Sequence, residues 1–251
     1  LGFHTARNGG HVHLGDAAMA PLGWILKRLV PSASVSMTAC GLDLTYSSRF
    51  YQWMLRKSLP AFDHIVCISF ATAQQALARG VDHSRLVTIP CGVWPDDIAV
   101  REGRGESDSP VLLTIGRMVE RKGVAWFLQE VMPGLLEEFP NLQYKIVGTG
   151  KHEKLIKKIV QDKGLDENVQ LLGNTDNAER DRVIEEADIL IVPNIPVDGD
   201  MEGFGITCIE ASARGLPVAA ARLEGSKAFS KAFMERHEQM PLRARAWIWP
   251  E

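Results

Sequence analysis

Glu202 and Glu210 are separated by seven residues, and Gly203-Phe204-Gly205 runs directly after the first of them. A Gly-Phe-Gly turn that opens a helix leaves backbone N–H groups without intrahelical partners, and the helix dipole adds partial positive charge there. Such a helix start accepts a phosphate or the hydroxyls of a sugar. Glycines let a ligand approach the backbone without meeting a side chain, and Ile206 and Thr207 supply the first amides of the helix. The two carboxylates could hold hydroxyls of a sugar and of a ribose respectively. The plainer alternative makes Glu202 a solvated loop acid and Glu210 a helix acid paired with an Arg or a backbone N–H.

Arg117 and Lys122 bring the opposite charge. They follow the apolar run Val111–Ile115 in the order Gly116-Arg117…Lys122-Gly123. Two cations at the end of a strand can clamp a pyrophosphate, the Arg bidentately. Gly148-Thr149-Gly150 follows a second such run. Isolated basic residues usually belong to solvated loops. Two cations, a glycine-lined helix start and two carboxylates converging on one sheet edge argue for a site instead.

These residues need a scaffold that gathers the ends of separate strands. Apolar runs at Val111–Ile115, Gln143–Val147, Val169–Leu172, Asp188–Val192 and Pro217–Ala221 read as strands. The segments between them, Val124–Phe139 with Pro133 inside it, Glu153–Lys163, Ala178–Ala187 and Ile206–Arg214, read as helices. The last stops at Gly215, with Pro217 just beyond. Continuous apolar strands with helical spacers imply a parallel sheet covered on both faces, with right-handed crossovers. Such doubly wound sheets bind ligands beyond the carboxyl ends of their strands.

The first hundred residues are less regular. Ser34–Thr38, His64–Ile68 and Leu86–Ile89 read as strands, and Phe50–Ser58 and Ala71–Arg79 as helices, the second capped by Ser69 or Thr72. The stretch 101–109 (REGRGESDS) is polar and aperiodic, and reads as a linker. The expected organisation is a partial Rossmann-like domain over 1–100, the linker, a second such domain over 110–225, and an atypical tail over 226–251.

Composition narrows the class. With 45% hydrophobic and 24% charged residues, the 251-residue chain is an ordinary globular protein able to bury a substantial core. A net charge of −3 gives no electrostatic case for nucleic acid. Cys40, Cys67, Cys91 and Cys208 are scattered, which argues against a zinc site and a stapled scaffold and points to a reducing, cytoplasmic setting. No apolar run is long enough to span a bilayer. The stretch Ala17–Val30, broken by Pro21 and carrying Lys27 and Arg28, reads as a buried helix with a basic end in preference to a membrane-surface helix. His4, His11 and His13 read as a polar loop, lacking carboxylates at ligand spacing. Asp198-Gly199-Asp200 has the form D-x-D but no further ligands nearby in sequence, so no metal is expected.

Together, Gly116-Arg117…Lys122-Gly123, Val147-Gly148-Thr149-Gly150, Glu202-Gly203-Phe204-Gly205…Glu210-Ala211 and Gly215-Leu216-Pro217-Val218 resemble glycosyltransferase family 4. The likeness extends through Gly41-Leu42-Asp43, Ile68-Ser69…Ala73 and Ile89-Pro90-Cys91-Gly92-Val93. It implies a GT-B fold of two Rossmann-like doubly wound parallel-sheet domains, both incomplete here, with a cleft between them. It further implies a retaining, metal-independent transfer of a hexose-type sugar from a UDP- or GDP-linked donor to a carbohydrate or lipid-linked acceptor, with no cofactor. Peripheral contact at the inner membrane face is compatible with such an acceptor. By this likeness Arg117 and Lys122 bind the diphosphate, Glu210 the ribose, and Glu202 with the backbone of Phe204 and Gly205 the transferred sugar. Arg117, Lys122 and Glu202 are then the catalytic candidates. The donor set adds Gly116, Gly148, Gly150, Gly203, Ile206 and Thr207.

The sequence departs from that family at three places. Cys40 stands where many members have a His that positions the sugar, and Cys91 where an Asn is common. Ser226–Glu251 lacks the family's continuation, as truncation or a shifted reading frame would produce. The competing readings are an inactive nucleotide-binding or interaction module of the same fold and, from another class, an NAD-dependent oxidoreductase. The oxidoreductase would need a third glycine where Glu153 stands.

Overall fold

The computed structural model describes residues 10–93, 108–223 and 246–249. Contacts divide the chain into one unit of Leu1–Cys91 with Asp198–Phe204, and another of Gly92–Val197 with Gly205–Glu251. His4 and most of the expected linker lie outside the described residues.

The first unit is built on a parallel sheet in the order β1 (His11–Leu14), β2 (Ser34–Ala39), β3 (His64–Cys67), β4 (Leu86–Thr88). Its crossovers carry α1 (Ala20–Leu29), then the short α2 (Leu42–Thr45) with α3 (Arg49–Ser58), then α4 (Phe70–Leu77). Strand order follows chain order throughout, so right-handed crossovers bring every one of these helices to the same sheet face. Val35, Met37, Ile65 and Cys67 point to that face and are buried with Leu55, Leu59 and Phe62. Ser48 caps α3 and Ser69 caps α4, each hydroxyl accepting an amide of the first turn.

Two expectations fail in this unit. His11 and His13 belong to a strand, not a loop. The alternation His11-Val12-His13-Leu14 has the period of two that a strand requires, and only its polar residue types disguised it. The imidazoles bond the hydroxyls of the neighbouring strand: His11 Nδ1 lies 2.8 Å from Ser34 Oγ, and His13 Nδ1 lies 2.7 Å from Ser36 Oγ. Nor is the helix within 17–30 buried. Of α1 only Ala20 and Gly23 are, while Leu22, Ile25 and Leu29 are exposed.

The second unit follows its expected strands closely. β5 (Val111–Ile115), β6 (Gln143–Val147), β7 (Val169–Gly173), β8 (Ile189–Val192), β9 (Val218–Ala221) and β10 (Ala246–Trp249) form one parallel sheet in the order β10-β9-β8-β5-β6-β7. The order runs outward from β5 in one direction, then restarts at β8 in the other. That reversal is what makes a sheet doubly wound. Within the tail read as atypical, β10 adds an unforeseen strand that pairs in parallel register with β9.

Alternate strand residues feed two cores, as strands covered on both faces must. Leu112, Tyr144, Ile146 and Ile191 join Phe127, Leu128, Ile156 and Ile159 on one face. Leu113, Leu190, Val192 and Val218 join Val183, Ile184, Cys208 and Ala211 on the other. The first face is covered by α5 (Val124–Trp126), α6 (Met132–Glu138) and α7 (Glu153–Asp162). The second is covered by α8 (Asn177–Glu186) and α9 (Ile206–Ala213). Between α5 and α6 the helix widens to a π turn, Phe127–Val131. Pro133 follows at once; it offers no N–H, and its ring would strike a carbonyl one turn back in a regular helix.

Beneath the carboxyl edge, the Tyr144 hydroxyl meets Thr114 Oγ1 at 2.8 Å, and Thr114 Oγ1 donates to the Ile191 carbonyl at 2.6 Å. A hydroxyl has one proton, so Thr114 accepts from Tyr144 and gives to Ile191. Both hydroxyls are buried. The pair ties β6, β5 and β8 together. Among the described residues no helix is long and apolar enough to cross a membrane.

Candidate donor site

β5 and β8 are the neighbours at which the strand order reverses. Loops leaving the carboxyl ends of two such strands diverge to opposite faces and open a crevice. Gly116-Arg117 and Lys122-Gly123 follow β5, and the loop from Pro193 to the start of α9 follows β8. The cations and the glycine-lined helix start therefore share one edge, as expected.

Within the β5 loop the backbone is held from both sides. Gly116 N donates to Val147 O at 3.0 Å, Met118 N to Thr149 O at 2.9 Å, and His152 N to Met118 O at 2.9 Å. This zips the loop to the one after β6. A side chain on Gly148 would begin 2.0 Å from Gly116 O, and one on Gly150 would begin 2.4 Å from Met118 O. Both glycines are required by the neighbouring backbone, whatever else they contact. On the other side, Ile195 N donates to Arg121 O at 2.9 Å. Gly123 backs directly onto the Pro193 carbonyl.

The Lys122 side chain lies across Gly116, its Cε 3.4 Å and its Nζ 3.8 Å from where a Cβ on that glycine would be. Its ammonium is thus held at the mouth of β5. Arg117, one residue further, is exposed. Arg121, between them in sequence, is buried at 4% exposure, and nothing in the local sequence separates it from the other basic residues of this turn.

Gly205 precedes α9, and its φ of 78° turns the chain into the helix; no side chain caps this end. Its first amides belong to Ile206, which is exposed, and Thr207, which is half-buried. Glu210, further along α9, is half-buried with Oε1 3.8 Å from Arg180 NH1 of α8. This is a loose ion pair, and Arg180 Nε is buried without a hydrogen-bond partner among the described residues. Arg214 donates to the Glu210 carbonyl at 3.2 Å and to Asp181 at 2.9 Å. Sequence reasoning had no access to Arg180, which reaches Glu210 only because the β7–α8 crossover returns beside α9.

Glu202, Gly203 and Phe204 group with the first unit. A side chain on Gly203 would begin 2.2 Å from Cys40 O, and one on Gly41 would begin 3.0 Å from Gly203 Cα. The segment before α9 therefore lies backbone to backbone on the turn after β2. Asp43 fixes that turn by accepting Cys40 N at 2.9 Å. Burial raises the Asp43 pKa, and the amides of Cys40 and Ala17 offset part of the rise. Cys40 itself is exposed. Desolvation of its sulfur, then the charges of Asp43 and Asp16, push the thiol up, so it stays protonated at neutral pH. Among the described residues no group of three His, Cys, Asp or Glu side chains gathers as metal ligands.

The family model described as glycosyl transferases group 1 matches residues 97–232, and that of glycosyltransferase family 4 matches residues 12–97. The chain belongs to the group 1 glycosyl transferases. Among its relatives, the GDP-mannose-dependent monoacylated alpha-(1-6)-phosphatidylinositol monomannoside mannosyltransferase of Corynebacterium glutamicum is 29% identical over 215 residues, covering 82% of this chain and 51% of the relative. The GDP-mannose-dependent alpha-(1-6)-phosphatidylinositol monomannoside mannosyltransferase of Mycolicibacterium smegmatis is 31% identical over 213 residues, covering 82% and 50%. The chain thus spans about half the length of these relatives. Anabaena Alr3699/HepE, crystallised with UDP, superposes with a TM-score of 0.74 at 16% identity, over 99% of this chain and 66% of that one. The fold is that of two Rossmann-like parallel-sheet regions of the GT-B type.

Proposed function

We propose that the protein transfers a hexose-type sugar from a nucleoside-diphosphate sugar to a carbohydrate or lipid-linked acceptor, with retention at the anomeric carbon. The observation that supports this reading is that the loop carrying Arg117 and Lys122 and the loop leading to α9 leave the carboxyl ends of β5 and β8, where the strand order reverses, and touch through Gly123 and Pro193. As the glycosyl group departs it becomes oxocarbenium-like, and negative charge grows on the leaving diphosphate. Cations and amides fixed at that oxygen stabilise the transition state more than the ground state. Arg117 and Lys122 supply the cations, and Gly205, Ile206 and Thr207 the amides. Glu210 holds the ribose, and Glu202 with the backbone of Phe204 and Gly205 holds the sugar. With that charge balanced by side chains, the scheme requires no divalent metal.

UDP-linked and GDP-linked donors both suit this chemistry; the two mannosyltransferase relatives named above use GDP-mannose. A lipid-linked acceptor would set the chain to work from the cytoplasm at the inner membrane face. A thermal-shift panel of UDP, GDP and their sugars tests the site and names the donor. Stabilisation by neither nucleotide would overturn the reading. Cys40 favours a second reading, a nucleotide-binding module without turnover, because a protonated thiol is a weak hydrogen-bond donor for a sugar. Binding of a donor sugar without hydrolysis or transfer would select it.

A further inference from the structure

Helices α1 and α3 carry apolar side chains on their exposed sides. Leu22, Ile25 and Leu29 recur at intervals of three and four, which aligns them in one stripe along α1, and Met19 precedes them at the helix cap. All four are exposed, Leu29 at 65%. The buried stripe of the same helix is another one, Ala20 and Gly23, the latter against the Phe62 ring. On α3, Phe50 and Trp53 are exposed, Phe50 at 72%, and their rings stack with centroids 5.9 Å apart. The two helices pack side by side. A helix that only closes a soluble core turns mainly polar side chains outward; these two turn large apolar side chains outward among basic ones.

The charged side chains of α1 and α3 themselves are all basic, while at their flanks Asp16 is exposed and Asp63 pairs with Lys27 of α1. Arg28, Arg49, Arg56 and Lys57 are exposed on α1 and α3, while Asp43 is the only carboxylate from residue 17 to residue 62. The chain as a whole carries −3. Arg28 stacks over the Trp24 ring at 4.1 Å, an arrangement that keeps its charge outward. Leucine and aromatic side chains flanked by Arg and Lys are what a helix lying in a membrane interface presents. Aromatic rings settle at the headgroup level, and anionic lipids attract the cations.

We propose that the α1–α3 face docks on an anionic bilayer, with Leu22, Ile25, Leu29, Phe50 and Trp53 entering the headgroup–acyl boundary and Arg28, Arg49, Arg56 and Lys57 meeting lipid phosphates. This gives a surface to the peripheral location proposed above, and it stands without the transfer reaction, since it needs no nucleotide.

The test is co-sedimentation of the full chain, without nucleotide, with vesicles of phosphatidylcholine alone and of phosphatidylcholine mixed with phosphatidylglycerol. Partition onto the mixed vesicles is expected to exceed that onto neutral ones by about tenfold or more, and to weaken as salt rises. The pairs Leu22→Asn with Leu29→Asn, and Arg56→Glu with Lys57→Glu, should each lower partition by about tenfold or more. Far-UV circular dichroism and Tm should stay those of the parent, because all four positions are exposed. Should one pair misfold, Phe50→Ser with Trp53→Ser replaces it. Absence of binding, equal binding to both vesicles, or binding indifferent to every folded pair would overturn the proposal. So would a dimer in sedimentation velocity that the Leu22 and Leu29 substitutions dissolve, which would make a second copy the occupant.

Discussion

The Pro193 carbonyl oxygen stands 1.8 Å from the point at which a side chain on Gly123 would begin. Gly123 also holds φ at 64°, in the left-handed region. The cation loop after β5 and the loop leading to α9 therefore meet backbone to backbone, and the position of Lys122 depends on that meeting.

Gly123→Ala must drive the two loops apart. A stability loss of about 2 kcal/mol or more is expected from the combined clash and backbone strain. Nucleoside-diphosphate affinity should fall with it. Chemical denaturation of the variant checks the first point, and a stability equal to the parent's would show that the loops yield freely.

Arg117→Ala and Lys122→Ala should each weaken binding of UDP or GDP by about 1–3 kcal/mol, the scale of charge-assisted hydrogen bonds. Both residues are assigned to one diphosphate, so the double substitution should cost less than the sum. Titration calorimetry decides the matter. Affinity unchanged in both single variants would remove the diphosphate from this edge.

Glu210→Gln should weaken nucleoside diphosphates and leave inorganic pyrophosphate unaffected, since the carboxylate is assigned to the ribose alone. The loose contact with Arg180 at 3.8 Å leaves the carboxylate able to accept hydroxyls. An equal loss for both ligands would return Glu210 to the part of a helix acid held by Arg180.

Asp63 links this fold to acid. Burial alone would raise its carboxyl, but the Val35 amide and the Lys27 ammonium outweigh that and hold it below the ordinary range. A depressed folded-state pKa contributes stability above the unfolded value, about 4 for Asp, and loses it as pH falls through the lower folded value. Asp63→Asn should therefore be less stable than the parent near neutrality and converge with it as pH falls below the ordinary carboxylate range. A constant gap from neutrality to acid, read from denaturation midpoints, would show that the carboxylate's charge plays no part.

The second sheet was legible because its strands are buried on both faces. Runs such as Val111–Ile115 and Ile189–Val192 can be little else when helices separate them. The candidate site was legible for the same reason, since Arg117, Lys122 and Gly205 follow strands that the alternation already marks. His11–Leu14 was not, because a strand carrying imidazoles on one face reads as polar chain. α1 was misjudged because the pattern reports an apolar stripe without saying whether anything covers it. Arg180 and the burial of Arg121 were invisible for a different reason: they depend on which crossover returns beside which, and that is a property of the sheet order, not of any local run. Gly148 and Gly150 were read as donor contacts, whereas the neighbouring loop's carbonyls by themselves already require both.

The Tyr144–Thr114–Ile191 chain has a consequence for the width of the edge on which the donor site is built. Its two protons have only one arrangement, pointing from β6 through β5 to β8. Sliding any of these strands by a residue would strand a hydroxyl in hydrocarbon and turn its neighbours to the wrong face. The gap between the mouths of β5 and β8 is therefore keyed by proton polarity as well as by side-chain bulk, and the cation loop and the helix start inherit a spacing fixed one layer below them.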